Sequence, residues 1–163
     1  MRKEFGKIMT ELIKKDSRIY LITSDFGYGI FEDIKKDYPQ HILNPGINEQ
    51  ATIGIASGMA LEGFKIYVYG IAPFILKRSY EQVNLDIVEQ NANVKLVLCW
   101  DYPHSGPTHQ INDLGKLCET LRIDLEKPKT LGDLREIMFK NYKTTKPVVI
   151  YISKTNDQNG NTK

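Results

Sequence analysis

Lys65-Ile66-Tyr67-Val68-Tyr69 and Val94-Lys95-Leu96-Val97-Leu98-Cys99 are β-rich runs, and residues 72–90 between them read as one long helix. Pro73 stands at a position where the first turn of that helix tolerates proline. The same alternation extends outward in both directions. Phe5, Ile8, Met9, Leu12 and Ile13 repeat at helical spacing, so the chain opens with an amphipathic helix. Residues 18–23 form a short β-rich run that ends in the loop Ser24-Asp25-Phe26-Gly27. A weak helix over 30–38, a short strand over 41–43 and a helix over 48–61 ended by Gly63 precede the central unit. Beyond it come a loop over 100–110, a helix from about Asn112 to Leu121, and a helix that Thr130 caps with Asp133 three positions on, reaching about Tyr142. Pro147-Val-Val-Ile-Tyr-Ile-Ser153 is the last strand. Strands and helices in alternation argue for an α/β fold: a doubly wound, mainly parallel sheet of about six strands with helices on both faces. Ligands of such sheets bind in the loops beyond the carboxyl ends of the strands.

The totals narrow the function classes. The 163 residues suffice for one domain with a sizeable core, here residues 1–154, followed by a polar and mobile tail over 155–163. A net charge of +2 is too small to argue for nucleic acid or an anionic membrane. No run approaches the roughly 18 apolar residues that span a bilayer. Residues 1–15 lack the unbroken apolar stretch of a secretory signal, and Cys99 and Cys118 show no metal or redox spacing, so reduced thiols in a cytoplasmic protein are expected.

Three polar clusters fall in candidate site loops: residues 24–29, 44–50 and 100–110. In the second, Asn44-Pro45-Gly46 is a turn that hands directly into a helix, with Glu49 at its mouth as the only acid between Asp37 and Glu62. Glu49 is either a charge partner for the positive helix end or a working acid whose proton affinity burial raises and the helix end lowers. Behind it, Gly54 and Gly58 leave one helix face without bulk, for close packing within the domain or against another chain. In His104-Ser-Gly-Pro-Thr-His-Gln110, glycine and proline make a turn that fixes Thr108 and His109, and a histidine there can donate to an oxyanion, carry a proton, or simply face solvent. The two histidines alone do not make a metal site. Phe74 is either core or a stacking surface for a flat heterocycle, and Arg78 is at helical spacing to pair with Glu81 or Gln82. Residues 24–29 match neither a dinucleotide nor a P-loop fingerprint and read as a turn carrying Asp25.

The order of these pieces is more specific than any one of them. Gly46-Ile-x-Glu-Gln50, then Gly54-x-Ala-x-Gly58, then Phe74 with Arg78-x-Tyr-Glu-Gln82, then Gly106-Pro-Thr-His-Gln110 resembles the pyrimidine-binding domain of the transketolase family over nearly the whole chain. Arg78-Ser-Tyr-Glu-Gln-Val83 also resembles the matching segment of deoxyxylulose-phosphate synthase. The resemblance implies thiamine diphosphate as cofactor, with Glu49 bonding and activating its aminopyrimidine. Phe74 would stack near that ring, Ile75 and Tyr80 would complete the pocket, and Asp25 would supply a nearby acid. His109, with His104, would face the donor sugar, and Lys154 falls where many transketolases hold the sugar phosphate with arginine.

Trp100 and Ser105 replace a histidine and an acid usual in transketolases, which leaves the donor and acceptor sugars open. No Gly-Asp-Gly…Asn motif for a Mg²⁺-held diphosphate occurs. The resemblance therefore implies half of a split enzyme: a transferase subunit moving a two-carbon ketol unit between sugars. A partner chain in an α2β2 assembly would hold the diphosphate and Mg²⁺. The alternatives are a subunit of a 2-oxo acid decarboxylase or dehydrogenase, a deoxyxylulose-phosphate synthase-like enzyme, or a non-catalytic scaffold.

Overall fold

The computed structural model describes residues 1–99 and 105–152. Trp100, His104, Lys154 and the expected tail over 155–163 lie outside the described residues. The strands are β1 (Ile19–Thr23), β2 (Ile42–Leu43), β3 (Lys65–Ile71), β4 (Val94–Cys99), β5 (Asp124–Glu126) and β6 (Val148–Ile152). They form one six-stranded sheet in the order β2-β1-β3-β4-β6-β5, and every pairing is parallel. All carboxyl ends therefore emerge on one edge of the sheet.

Successive side chains of a strand point to opposite faces, and the core divides accordingly. Ile66, Val68, Leu96 and Leu98 join Ile53, Ala56, Ile75, Val83, Ile87 and Cys118 on one face. Tyr67, Tyr69, Val97 and Cys99 join Phe5, Ile8, Met9, Leu12, Ile34, Leu134 and Met138 on the other. Helices α1 (Arg2–Lys15), α2 (Glu32–Asp37) and α6 (Leu131–Tyr142) thus cover one face, while α3 (Glu49–Leu61) and α5 (Leu114–Leu121) cover the other. The long apolar runs of the central strands reflect this double burial.

Local signals explain most boundaries. The Asn48 side chain caps α3 by accepting from the Ala51 N–H at 3.3 Å. Asp113 caps α5, two residues inside the expected start. At α6 the capping box is complete, with Thr130 Oγ1 accepting from the Asp133 N–H and the Asp133 carboxylate accepting from the Thr130 N–H. Strand β5 carries no β-branched residue and has an acid at each end, so its composition gives no strand signal.

The largest departure is in the crossover between β3 and β4. The expected single helix over 72–90 is wound as a π-helical stretch (Phe74–Arg78), a short α turn, α4 (Tyr80–Gln82), and a second π-helical stretch (Val83–Glu89). Ser79 breaks the first stretch at φ −108°, ψ 30°. Such widened turns cluster at functional sites, because they re-aim side chains that a regular helix would spread around its axis.

Candidate active site

The connections from β1 lead to β2 on one side, and those from β3 lead to β4 on the other. Strands β1 and β3 therefore flank the point where the winding reverses, which is where open α/β sheets hold their ligands. A cleft lies there. It is lined by Ser24, Asp25 and Phe26 after β1, Gly70 and Ile71 at the end of β3, Phe74 and Ile75 of the crossover, and Ile47 and Glu49 at the start of α3.

The loops that build it are tied to one another. The Asn44 side chain accepts from the backbone N–H of Gly46 at 3.1 Å and of Asp25 at 2.9 Å, so the Asn-Pro-Gly turn also anchors the loop after β1. Asp25 is held at φ 50°, a left-handed conformation unusual outside glycine. Its carboxylate accepts the Tyr28 hydroxyl at 2.7 Å. The Ser24 and Thr52 hydroxyls meet at 2.9 Å, and Thr52 donates onward to the Asn48 carbonyl at 2.8 Å, which fixes the start of α3 against β1. Ile75 packs so closely on Gly70 that a Cβ there would meet it at 2.7 Å, so glycine is required where β3 enters the cleft.

Glu49 is the first residue of α3 and only 7% exposed. Its Oε1 accepts a hydrogen bond from Arg78 Nη1 at 2.9 Å. Among the described residues that is the only hydrogen bond its carboxylate receives. The Arg78 guanidinium lies over the Phe74 ring, 3.8 Å from its centroid. His109, at the end of the short Pro107–His109 turn, meets Phe74 edge-on at 4.7 Å between ring centroids. Gly106 enters that turn at φ 93°, as the glycine signal required. Lys77 Nζ ties the turn to the crossover through the Gln110 carbonyl at 2.7 Å.

Of the residues singled out in the sequence, Glu49, Phe74, Ile75 and Asp25 line this one cleft, and His109 touches it through Phe74. Tyr80 is half-exposed on α4 and does not line it. His104 and Lys154 lie outside the described residues. The expected pairing of Arg78 with Glu81 or Gln82 is replaced by the ion pair with Glu49, which the packing of the crossover against α3 brings within reach. Phe26 and Ile71 are not among the residues singled out in the sequence: Phe26 sits inside the candidate loop 24–29, whose named candidate is Asp25 alone, and Ile71 ends a strand. Both cysteine thiols are buried, and burial pushes Cys99 up to about 12 and Cys118 up to about 11, so neither is a nucleophile at neutral pH.

Gly54 and Gly58 settle one of the open alternatives. A Cβ added at either meets nothing within 4 Å among the described residues, and both are exposed. They do not serve close packing inside this domain. The cleft itself encloses about 130 Å³ between the described residues. That is well below the roughly 300–1,000 Å³ of a complete small-molecule pocket. An apolar slot of that size with a single-partner carboxylate at its wall suits one flat heterocycle bearing a hydrogen-bond donor.

Fold and cleft together define an α/β domain with a candidate ligand cleft at the switch point of an all-parallel sheet. Residues 1–158 match the family model described as "Transketolase, pyrimidine binding domain", and the chain belongs to that family. It is 31% identical over 140 residues to the 1-deoxy-D-xylulose-5-phosphate synthase of Clostridium perfringens, covering 82% of this chain and 22% of that one. To one of the subunits of the apulose-4-phosphate transketolase of Phocaeicola vulgatus it is 37% identical over 97 residues, 59% of this chain and 31% of that one. The chain thus spans about a fifth to a third of the length of these relatives. Among solved structures, a split-gene transketolase described as an inactive β4 tetramer superposes with a TM-score of 0.85 at 25% identity, over 95% of this chain and 51% of that one. The transketolase of Campylobacter jejuni superposes at 0.73 and shares the fold at 16% identity, over 93% and 25%.

Proposed function

We propose that this chain is the aminopyrimidine-binding part of a split, thiamine diphosphate-dependent, transketolase-like enzyme of the cytoplasm that moves a two-carbon ketol unit between sugars. The observation that carries the reading is Glu49: a carboxylate at a helix mouth, buried in an apolar cleft, with one hydrogen bond accepted and capacity for more. When bound, the cofactor supplies the electron sink for breaking and making the carbon–carbon bond. The residues of this chain orient it and manage protons. Glu49 takes and returns a proton at the pyrimidine ring nitrogen. Phe74, Ile75, Ile71 and Phe26 exclude water from that exchange, which strengthens it. His109, held against Phe74, would meet the sugar oxygens, and Asp25, which lines the same cleft, would supply a nearby acid.

The small size of the cleft supports a partner that completes it, holding the diphosphate and Mg²⁺, in an α2β2 assembly. The relative from Phocaeicola vulgatus, itself one chain of a transketolase made of subunits, and the split-gene structure support the same arrangement. So does the outward stripe of α3, where Gly54, Gly58 and Leu61 stand exposed one turn apart. Calorimetric titration of thiamine diphosphate with Mg²⁺ into the reconstituted two-chain complex tests the reading. Binding is expected in the native complex, and ketol transfer is expected to be lost in Glu49→Ala with assembly intact. No cofactor binding to the native complex would leave a scaffold role instead.

The identity to 1-deoxy-D-xylulose-5-phosphate synthases over most of this chain favours a second reading, with a 2-oxo acid as donor. Product analysis with sugar and 2-oxo acid donors separates the two.

A further inference from the structure

We propose that Arg78 is a positioning residue for Glu49: its guanidinium, seated on the Phe74 ring, holds one carboxylate oxygen and leaves the other for the ligand of the apolar cleft. This rests on the reading of Glu49 given above.

Three observations carry it. First, Arg78 Nη1 donates to Glu49 Oε1 at 2.9 Å, and among the described residues the carboxylate receives no other hydrogen bond. A buried carboxylate without that partner would be poorly satisfied and free to change rotamer. Second, the guanidinium is itself fixed, stacked over Phe74 at 3.8 Å, a flat seating that arginine makes and lysine does not. Third, Glu49 lines two adjoining clefts. The apolar one contains Phe26, Ile71 and Ile75 and is not lined by Arg78. The outer one is lined by Arg78 with Ile47, Asn48 and Gln50. Arg78 therefore reaches the carboxylate from outside and does not fill the space a ligand would take. Asp25 also lines the apolar cleft, and His109 meets the edge of Phe74. Neither replaces the Arg78 bond. Phe74 and Arg78 stand four residues apart, a spacing that puts the ring and the guanidinium on one side of the crossover.

The test has two readouts. In the isolated full chain, the ¹³C carboxyl resonance of Glu49, assigned by its loss in Glu49→Gln, should be displaced in Arg78→Met and near its native position in Arg78→Lys. In the reconstituted enzyme, Arg78→Met should lower kcat on the order of 10–100-fold, as misplacement of a reacting group by about 1 Å does, with the sugar KM nearly unchanged. Arg78→Lys should recover part of the loss. On the Glu49→Gln background, Arg78→Met should cost nothing further, since it acts through Glu49. An equal cost on both backgrounds overturns the proposal, as does an unmoved resonance. A gain in kcat or cofactor affinity in Arg78→Met also overturns it, making Arg78 a competitor of the ligand. Full activity in Glu49→Gln overturns the reading of Glu49 and this assignment with it. Loss there with an unmoved resonance overturns the role of Arg78 alone.

Discussion

The two ends of the parallel sheet both bury charge, and they treat it in opposite ways. At the amino ends, the Asp16 carboxylate accepts from the Arg18 backbone and guanidinium at 3.0–3.1 Å and pairs with Lys65 Nζ at 3.0 Å. Lys95, 1% exposed, donates to the Asn93 side chain and to the carbonyls of Thr144 and Lys146 at 2.6–3.1 Å. At the carboxyl ends, Glu49 is comparably buried and has one partner. A charge with several partners has its hydrogen-bonding capacity taken up by the fold. A charge with one partner retains capacity for something the fold does not contain. The contrast sets Asp16 and Lys95, whose bonding is taken up by the fold, apart from Glu49, for which we propose a working role.

The sharpest way to break the contrast is to neutralise one carboxylate at each end. Glu49→Gln should reduce ketol transfer by roughly 10²–10⁴-fold, the usual worth of a positioned proton-transfer group. Asp16→Asn should leave transfer intact and cost about 1–3 kcal/mol by urea unfolding at pH 7, as removal of a buried charged partner does. The Arg18 guanidinium, with its backbone N–H and Lys65, holds the Asp16 carboxyl well below its usual range. The unfolded chain binds that proton first, so the stability Asp16 contributes is complete above about pH 4 and is lost as pH falls through the lower folded value. The gap between native protein and Asp16→Asn should close in acid. A gap that persists there would remove Asp16 from the structural class.

Lys95 sharpens the comparison from the basic side. Burial, with Lys65 nearby, pushes its ammonium down to about 8. From about pH 8 to 10.4 the unfolded chain then binds more protons, so stability should rise with pH in that window. The buried thiols oppose this trend, so the measurement is the difference between native protein and Lys95→Met by chemical unfolding. No pH slope in that difference would show that the three oxygens outweigh burial. A smaller effect lies on α3: Gly58→Leu should raise the stability of the isolated chain by up to about 1 kcal/mol and weaken its association with the partner. Light scattering and thermal melts read the two effects separately.

Much of this arrangement was legible in the sequence, for identifiable reasons. The apolar runs at 65–69 and 94–99 gave the central strands because both faces are buried, and Asn44-Pro45-Gly46 before Asn48 gave the turn and the cap of α3. Strand β5 stayed hidden because two of its three residues are acids on a short edge. The π winding was hidden too, since the apolar spacing over 74–89 fits a regular helix equally well. Helical spacing pointed Arg78 forward to Glu81, and the backbone sends it back 29 residues to Glu49. The cleft partners Phe26 and Ile71 come from the loop after β1 and the end of β3, and no local pattern joins them.

The sheet ends in two very short strands. β2 offers two residues and β5 three, so each outer border exposes only a stub of unpaired backbone. Such blunted borders resist the addition of foreign strands. Among the described residues, then, the helices and loops offer more surface for a partner than the borders of the sheet do.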